Sequence, residues 1–166
     1  NIGDGTNDVI ELSLTVPLKN IGLDGGELKA TGTWQNSEVT DPLTGEKRRI
    51  SGQRPDVINL NFRQDLPAQK LTFGVGWFAG WEEDYYRLND VQSLRLEHFY
   101  SSFIEWKPTT SFTLRAELNN FDPYRFRINR FIYDGESRAI GSLDEFEQEV
   151  RKSQMIGRLS ARWTFN

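Results

Sequence analysis

The sequence predicts an all-β fold built from antiparallel strands. Apolar and polar residues alternate with a period of two through most of the chain, as in segment 10–16, where Ile10, Leu12 and Leu14 take every second place. Such alternation gives a strand two unlike faces, whereas a helix needs apolar spacings of three and four. No apolar run approaches the roughly 20 residues of a transmembrane helix. That does not exclude a membrane protein, because a membrane can also be crossed by strands.

Seven strands are predicted, each from its own alternating stretch. Their approximate bounds are 9–18, 27–41, 50–64, 70–86, 92–107, 111–133 and 152–165. In chain order, the apolar positions that define them are every second residue of 10–16, 28–34, 58–62, 71–81, 94–96, 112–118 and 155–165. If Arg127 to Tyr133 forms a separate strand, the count becomes eight.

The connections between these strands alternate between short and long. The short ones are Asn20 to Gly26, Asp65 to Gln69 and Pro108 to Thr110; the long ones are Pro42 to Arg49, Glu83 to Val91 and Asp134 to Arg151. Outer-membrane barrels sort their connections in this way, with tight turns on the periplasmic side and long loops outside. Within the last long connection, Ser142 to Glu145 has capping-box spacing, which predicts a short helix through Glu149.

The composition favours a sheet with one apolar face and one wet face. Only 37% of residues are hydrophobic and the mean hydropathy is -0.61, yet 13% are aromatic. The net charge of -4 argues against a nucleic-acid partner, which attracts a basic surface. The chain has no Cys, which excludes a disulfide framework and a thiolate metal site.

The two predicted faces suggest a transmembrane barrel wall. Aromatic residues group at opposite strand ends, as the two interfaces of a membrane require: Trp81, Tyr85 and Tyr86 at one end, Trp106, Trp163 and Phe165 at the other. The opposite face carries charges of both signs, at Arg95, Glu97, Glu105, Arg115, Glu117, Arg158 and Arg162. Such charges are costly in a dry core and natural on a wall facing water or a polar plug.

Three segments resemble the C-terminal part of TonB-dependent outer-membrane receptors. Gly157 to Phe165 resembles the terminal strand signature of outer-membrane barrels, with aromatic or apolar residues at alternate places and a final Phe. Leu114 to Asp122 resembles the penultimate strand of these receptors, where an Asn-Asn pair is followed by Asp. The hairpin from Trp106 to Leu114 matches the usual turn. Asn166 departs from the pattern, because the family normally stops at the aromatic residue.

The resemblance implies that residues 1–166 are the C-terminal part of a barrel of about 22 strands. Such receptors lie in the bacterial outer membrane, in contact with lipid and lipopolysaccharide, and surround an N-terminal plug. They bind an external nutrient, such as a siderophore, cobalamin, a sugar or a peptide, and import it with energy delivered through TonB. The plug and the TonB-contacting segment would precede Asn1.

No catalytic constellation is found, so the sequence gives no support for an enzyme or a cofactor. His98 is the only His and cannot form a His-based metal site by itself. The acidic run Asp144 to Glu149 lacks the spacing of a calcium loop and is interpreted as a solvated helix face. The glycines 74, 76 and 80 are expected to leave room for a plug or to ease strand curvature.

The long connections are the expected source of ligand contacts, including Glu82 to Arg87 and Tyr133 to Arg151, but no individual ligand-binding residue can be assigned. Asp41 to Glu46 is read as a turn, and the basic residues 47–49 are a candidate contact for lipopolysaccharide phosphates.

Two other hypotheses stay open: a soluble β-barrel binding module of the calycin type, and a small complete outer-membrane barrel. The first predicts that the apolar face turns inward. The second requires an even number of strands, because seven antiparallel strands cannot close.

Overall fold

The computed structural model of this protein describes residues 3–165, and its regular structure is almost entirely β. In chain order the strands are β1 Gly5–Pro17, β2 Gly26–Thr40, β3 Lys47–Arg48, β4 Asp56–Leu66, β5 Leu71–Phe78, β6 Trp81–Tyr86, β7 Asp90–Leu96, β8 Phe99–Trp106, β9 Phe112–Asn119, β10 Arg125–Tyr133, β11 Leu143–Lys152 and β12 Ile156–Trp163. Two short 3-10 turns lie at Lys19–Ile21 and Pro67–Gln69. The all-β antiparallel prediction is confirmed. Asn166, which departs from the expected terminal pattern, lies outside the described residues.

The strands form two antiparallel sheets. The larger has the order β1-β2-β4-β5-β8-β9-β12, with β3 paired to the end of β2, and the smaller has the order β11-β10-β7-β6. Four strands of the larger sheet continue into the smaller one: β5 into β6, β8 from β7, β9 into β10 and β12 from β11. The chain therefore meanders up and down through both sheets.

The predicted strands 70–86, 92–107 and 111–133 are each two strands in the structure. The breaks fall near Gly80, His98 and Asn120. Gly80 has a φ of 88° and Asn120 a φ of 58°, so both lie in the left-handed region that regular strands do not use. Alternation of side chains carries no information about such positions, and this is why the breaks near Gly80 and His98 were missed. The separate strand considered at Arg127 to Tyr133 is present as β10.

Two predicted connections are wrong. Segment 143–149 is not a helix but most of β11, which pairs with β10 over Leu143 to Lys152. Glu83 to Val91 is not a long loop, since β6 ends at Tyr86 and β7 begins at Asp90. Pairing with a neighbouring strand outweighs the local capping signal, because it satisfies every second backbone group of β11.

The cross-strand register brings the apolar positions of the larger sheet onto one face. Val16 lies opposite Leu28, and Leu28 opposite Phe62; nearer the other edge, Ala116 lies between Ile104 and Leu159. We call this face the apolar band. Its members are Ile10, Leu12, Leu14, Val16, Leu28, Ala30, Trp34, Ile58, Leu60, Phe62, Leu71, Phe73, Val75, Trp77, Tyr100, Ile104, Trp106, Phe112, Leu114, Ala116, Leu118, Leu159, Ala161 and Trp163.

The apolar band is open to its surroundings. Within residues 3–165 the one buried large hydrophobic side chain is Val39, whereas Leu159 is 72% exposed and Trp163 is 61% exposed. The larger sheet is also open at both edges, because in the described residues β1 pairs only with β2, and β12 only with β9. Residues 3–165 thus form open sheets that enclose no sealed interior.

Candidate functional site

The face opposite the apolar band, which we call the polar face, carries a network of charges. The Arg115 guanidinium lies 2.7 Å from a Glu117 carboxylate oxygen and 3.5 Å from one of Glu105. Arg158 lies 3.9 Å from Glu117, and Lys107 lies 2.8 Å from Glu105. These ion pairs, which connect β8, β9 and β12, place the charges predicted at 105, 115, 117 and 158 on one wetted surface.

A groove of about 370 Å³ runs along the polar face, and its walls are partly made by glycine. A Cβ on Gly74 would lie 2.6 Å from the Phe103 ring, and one on Gly76 would lie 2.7 Å from Ser101 Oγ. The two glycines therefore let side chains of β8 lie flat across β5. The space above Gly74, expected to be left for a plug, is taken by Phe103, whose ring is itself covered by the Arg115 guanidinium at 4.0 Å.

Aromatic residues border the apolar band at both ends. At the end of the band where β9 begins and β12 ends, Trp163 contacts both Phe112 and Phe165, with ring centroids 5.4 and 6.1 Å apart. At the other end Tyr100 lies opposite Trp77 and stacks on Phe121 at 5.4 Å. The first group includes residues predicted for an aromatic belt, whereas the second was not predicted.

The other predicted belt residues lie elsewhere. Trp81, Tyr85 and Tyr86 belong to β6 in the smaller sheet, beyond the break at Gly80. Arg54 covers the Trp81 ring at 3.9 Å and Arg48 covers the Tyr86 ring at 4.4 Å. These rings therefore lie outside the apolar band, and two of them are covered by guanidinium groups.

The outward positions change from apolar to charged between β12 and β11. In β12 the odd-numbered residues 159, 161 and 163 belong to the apolar band. In β11 the same numbering phase carries Glu145, Glu147, Glu149 and Arg151. Charges pair on this surface: Arg151 binds Glu149 at 2.6 Å, and Arg130 binds Asp90 at 2.8 Å. Ile128 and Leu94 share this face with Glu149, so the apolar surface gives way to charge along β11 but continues into β7 and β10.

Beyond that junction the connections are tied together by a buried ionic group, which we call the loop cluster: Asp41, Arg48 and Arg138. The Asp41 carboxylate is 1% exposed and accepts hydrogen bonds from both guanidinium groups. Arg138 comes from the connection between β10 and β11, and its Nε also donates to the carbonyl of Arg87 in the turn after β6 at 2.9 Å. The Asp41 carboxylate therefore links, directly or through Arg138, the connections that follow β2, β6 and β10.

Electrostatics of the loop cluster favour the ionised carboxylate. Burial by itself would raise the pKa of Asp41, but the hydrogen bonds from Arg48 and Arg138 and from the backbone N–H groups of Leu43 and Thr44 more than offset it. They hold the pKa of Asp41 well below its usual range. The carboxylate consequently stays charged and keeps two like-charged guanidinium groups together.

The remaining candidates from the sequence do not form a site. His98 is half exposed and lies 4.0 Å from Asp122. Of the basic residues 47–49, Arg48 is buried on Asp41, Arg49 donates to the carbonyl of Gln35, and Lys47 pairs with Glu38 at 2.6 Å. Arg48 is therefore not an exposed cation. In residues 3–165 no group of His, Cys, Asp and Glu side chains could hold a metal ion.

The loop cluster was missed at the sequence level. Asp41 was assigned to a turn, which is correct, since its backbone bonds to Gly45 and Glu46. Its partner Arg138 lies 97 residues away. No local pattern links residues so far apart, and only the pairing of the strands between them brings the two connections together.

Comparison of the chain with protein-family models, curated proteins and solved structures finds no match. No helix in the part of the chain that the structure describes is long and apolar enough to cross a membrane.

Proposed function

We propose that this chain forms part of the barrel wall of a TonB-dependent outer-membrane receptor, which binds an external nutrient and imports it into the periplasm. The observation that carries the proposal is the apolar band: a continuous exposed apolar surface on one side of a sheet whose other side is charged. In water such a surface costs roughly 25 cal/mol for each Å² of apolar area left uncovered. Contact with lipid removes that cost.

The dimensions of the band suit a bilayer. Strands of outer-membrane barrels tilt by about 40°, so at 3.3 Å per residue the eight-residue strands β5, β8, β9 and β12 cover about 20 Å of height, and the longer strands β1, β2 and β4 cover about 25 Å or more. The apolar band of outer-membrane barrels is about 25 Å tall and is bordered by aromatic residues. The rings of Trp163 and Tyr100 lie at its two ends, and the charged outer surface of β11 begins beyond it.

The open edges support a larger barrel. Unpaired backbone groups of β1 and β12 would each cost several kcal/mol in hydrocarbon, so further strands are required on both sides. Assignment to the TonB-dependent class, with about 22 strands and a plug, rests on the resemblance of segments 114–122 and 157–165 to that family. The loop cluster is consistent with it, since it orders the connections that would face the ligand.

The alternatives are less well supported. A calycin-type module requires the apolar face to line a closed interior, whereas Leu159 and Ile104 are exposed. A small complete barrel requires β1 to pair with β12, and in the described residues each of them has its one partner elsewhere.

Site-directed spin labelling tests the membrane assignment. The chain has no Cys, so Leu159→Cys and Arg158→Cys place single labels on opposite faces of β12. In the parent protein reconstituted in lipid vesicles, the label at 159 should collide with oxygen and the label at 158 with a water-soluble nickel chelate. The reverse pattern would refute the assignment of the faces.

Uptake by cells tests the transport assignment. Cells that produce the parent protein are given a radiolabelled ferric siderophore, cobalamin or oligosaccharide, with TonB present or deleted. We expect accumulation of one of these probes that depends on both the parent protein and TonB. Accumulation that is unaffected by loss of TonB would contradict membership of this class.

A further inference from the structure

The loop end of the chain contains a cavity of about 670 Å³, which we call the loop pocket. Its floor is formed by β6, β7 and β10, and its walls by connections 41–46 and 134–142; Tyr86, Val91, Phe131, Tyr133 and Leu43 supply most of its apolar surface. The volume lies within the range of about 300–1,000 Å³ that is usual for small-molecule sites.

The floor is an apolar row at the loop end of the smaller sheet, where it follows a polar row on the same face. Tyr86 lies opposite Val91, and Val91 opposite Phe131. The next row on the same face is Asp84, Ser93 and Asn129. Since a water-facing wall gains nothing from an isolated apolar row, the row indicates a surface that another group covers.

The walls of the pocket are already held in place. The loop cluster fixes both connections through Asp41, and the backbone N–H of Arg138 donates to the Leu88 carbonyl at 2.8 Å. Leu43 N–H donates to Asp41 Oδ1 at 2.9 Å, which fixes the opposite wall. A cavity with preformed walls loses little conformational entropy when a ligand binds.

The charges around the pocket balance. Arg48 and Arg138 are positive, Asp41 and Glu46 are negative, and the two guanidinium groups are already engaged by Asp41. The pocket therefore has no excess charge to attract an anion or a cation. It offers instead the rings of Phe131 and Tyr133 together with oxygen atoms of Thr44 and Glu46.

From this combination we infer that the loop pocket binds a neutral, polyhydroxylated ring, that is, a carbohydrate unit. The C–H face of a sugar ring packs on an aromatic ring, and its hydroxyl groups donate to carboxylate and hydroxyl oxygens. The inference rests on the proposed function, for which it names the class of nutrient, and it identifies Phe131, Tyr133 and Glu46 as ligand contacts.

Calorimetric titration of the purified parent protein in detergent tests this inference. The probes are neutral gluco-, manno-, galacto- and xylo-configured trisaccharides, with a ferric catecholate chelate as the charged comparison. We expect one trisaccharide series to bind, Phe131→Ala to weaken its binding tenfold or more, and Phe131→Trp to retain it. The matched control is Phe121→Ala, an exposed ring on the outer side of the sheet junction, which should leave binding unchanged.

The outcomes separate the two proposals. Failure of all trisaccharides to bind, binding of the ferric chelate alone, or equal affinity of Phe131→Ala and the unmodified protein would overturn the carbohydrate inference. If cells nevertheless accumulate the ferric chelate in a TonB-dependent manner, the transport proposal stands and only the carbohydrate inference fails. Trisaccharide binding that depends on Phe131, without any TonB-dependent accumulation, would retain the pocket and refute the transport class.

Discussion

Asp41 is the one carboxylate of the loop cluster, and it stabilises the connections that the cluster joins. It is buried between Arg48 and Arg138, and nothing else in the loop cluster compensates for their repulsion. Removal of one partner from a buried ionic group costs about 3–5 kcal/mol, because the remaining charges stay buried and unpaired. The loss of stability should be confined to these connections, because the cluster lies among them and outside the centre of either sheet.

We therefore expect Asp41→Asn to open the connections 41–46 and 134–142. Hydrogen–deuterium exchange should show loss of protection in both segments at once, with β8 and β9 unaffected. Asp24→Asn is the matched control, because Asp24 is exposed and lies 4.0 Å from an equally exposed Lys19. Loss of protection in only one of the two segments would show that Asp41 does not couple them.

The pH dependence follows from the low pKa of Asp41. A carboxyl group whose pKa is depressed by folding adds stability that is fully present above its ordinary pKa of 3.8 and is lost as the pH falls toward the folded-state value. The connections should accordingly keep their protection from neutral pH down to about pH 4 and lose it on further acidification. Exchange measured at a series of pH values checks this, and Asp41→Asn should abolish the acid-dependent step.

At the level of single residues, the sequence predicted the faces but not the partners. Alternation alone places Leu159 and Arg158 on opposite sides of a strand, and the register agrees. It does not show that Arg48 is buried on Asp41, because the burial depends on a second arginine that arrives from a distant connection. Local patterns determine where a side chain points, whereas long-range pairing determines what it meets.

Among the elements, β11 shows how a local signal is overridden. Ser142 to Glu145 has the spacing of a helix start, yet the same segment also alternates, with Phe146, Gln148 and Val150 on one side. Phe146 lies opposite Phe131 of β10, with ring centroids 5.0 Å apart. The ladder to β10 and this ring contact add more than one capping interaction of about 1 kcal/mol provides.

The break between β5 and β6 depends on Gly80. Its φ of 88° is strained for any other residue, and a Cβ there would collide with the backbone of Leu96 and Glu97 in the adjacent strand. We expect Gly80→Ala to destabilise the protein by about 1–3 kcal/mol. The measurement is the midpoint of urea-induced unfolding in lipid vesicles.

Gly157→Ala provides the control for Gly80. Gly157 lies in β12 with nothing within 4 Å of an added Cβ, so this variant should stay within about 0.5 kcal/mol of the unmodified protein. Equal effects of the two substitutions would show that the geometry at Gly80 does not determine where the sheets separate.

At the scale of the whole molecule, residues 3–165 form open sheets with exposed apolar side chains and no sealed core. The sequence predicted this from low hydrophobicity combined with many aromatic residues, and the exposure of Leu12, Val75 and Ile104 agrees with it. The two-sheet architecture was not predicted, because the breaks near Gly80 and His98 fall within stretches whose apolar and polar residues alternate on both sides of the break. Periodicity alone does not mark such a break.

The last prediction concerns the environment of the apolar band and compares two adjacent exposed residues of β1. Leu12 lies on the band, and Ser13 lies on the polar face opposite Thr31. If lipid covers the band, Leu12→Arg should make folding into vesicles less favourable by about 2–4 kcal/mol, because a guanidinium group near the bilayer centre loses its hydration. Ser13→Arg, which adds the same group beside water, should change it by less than about 1 kcal/mol. Both arginines lie on the same short stretch of backbone, so a difference between the variants reports on the medium that each face contacts. Equally small losses of folding free energy would mean that both faces meet water. A larger loss for Ser13→Arg would mean that lipid covers the polar face, which would contradict the proposal.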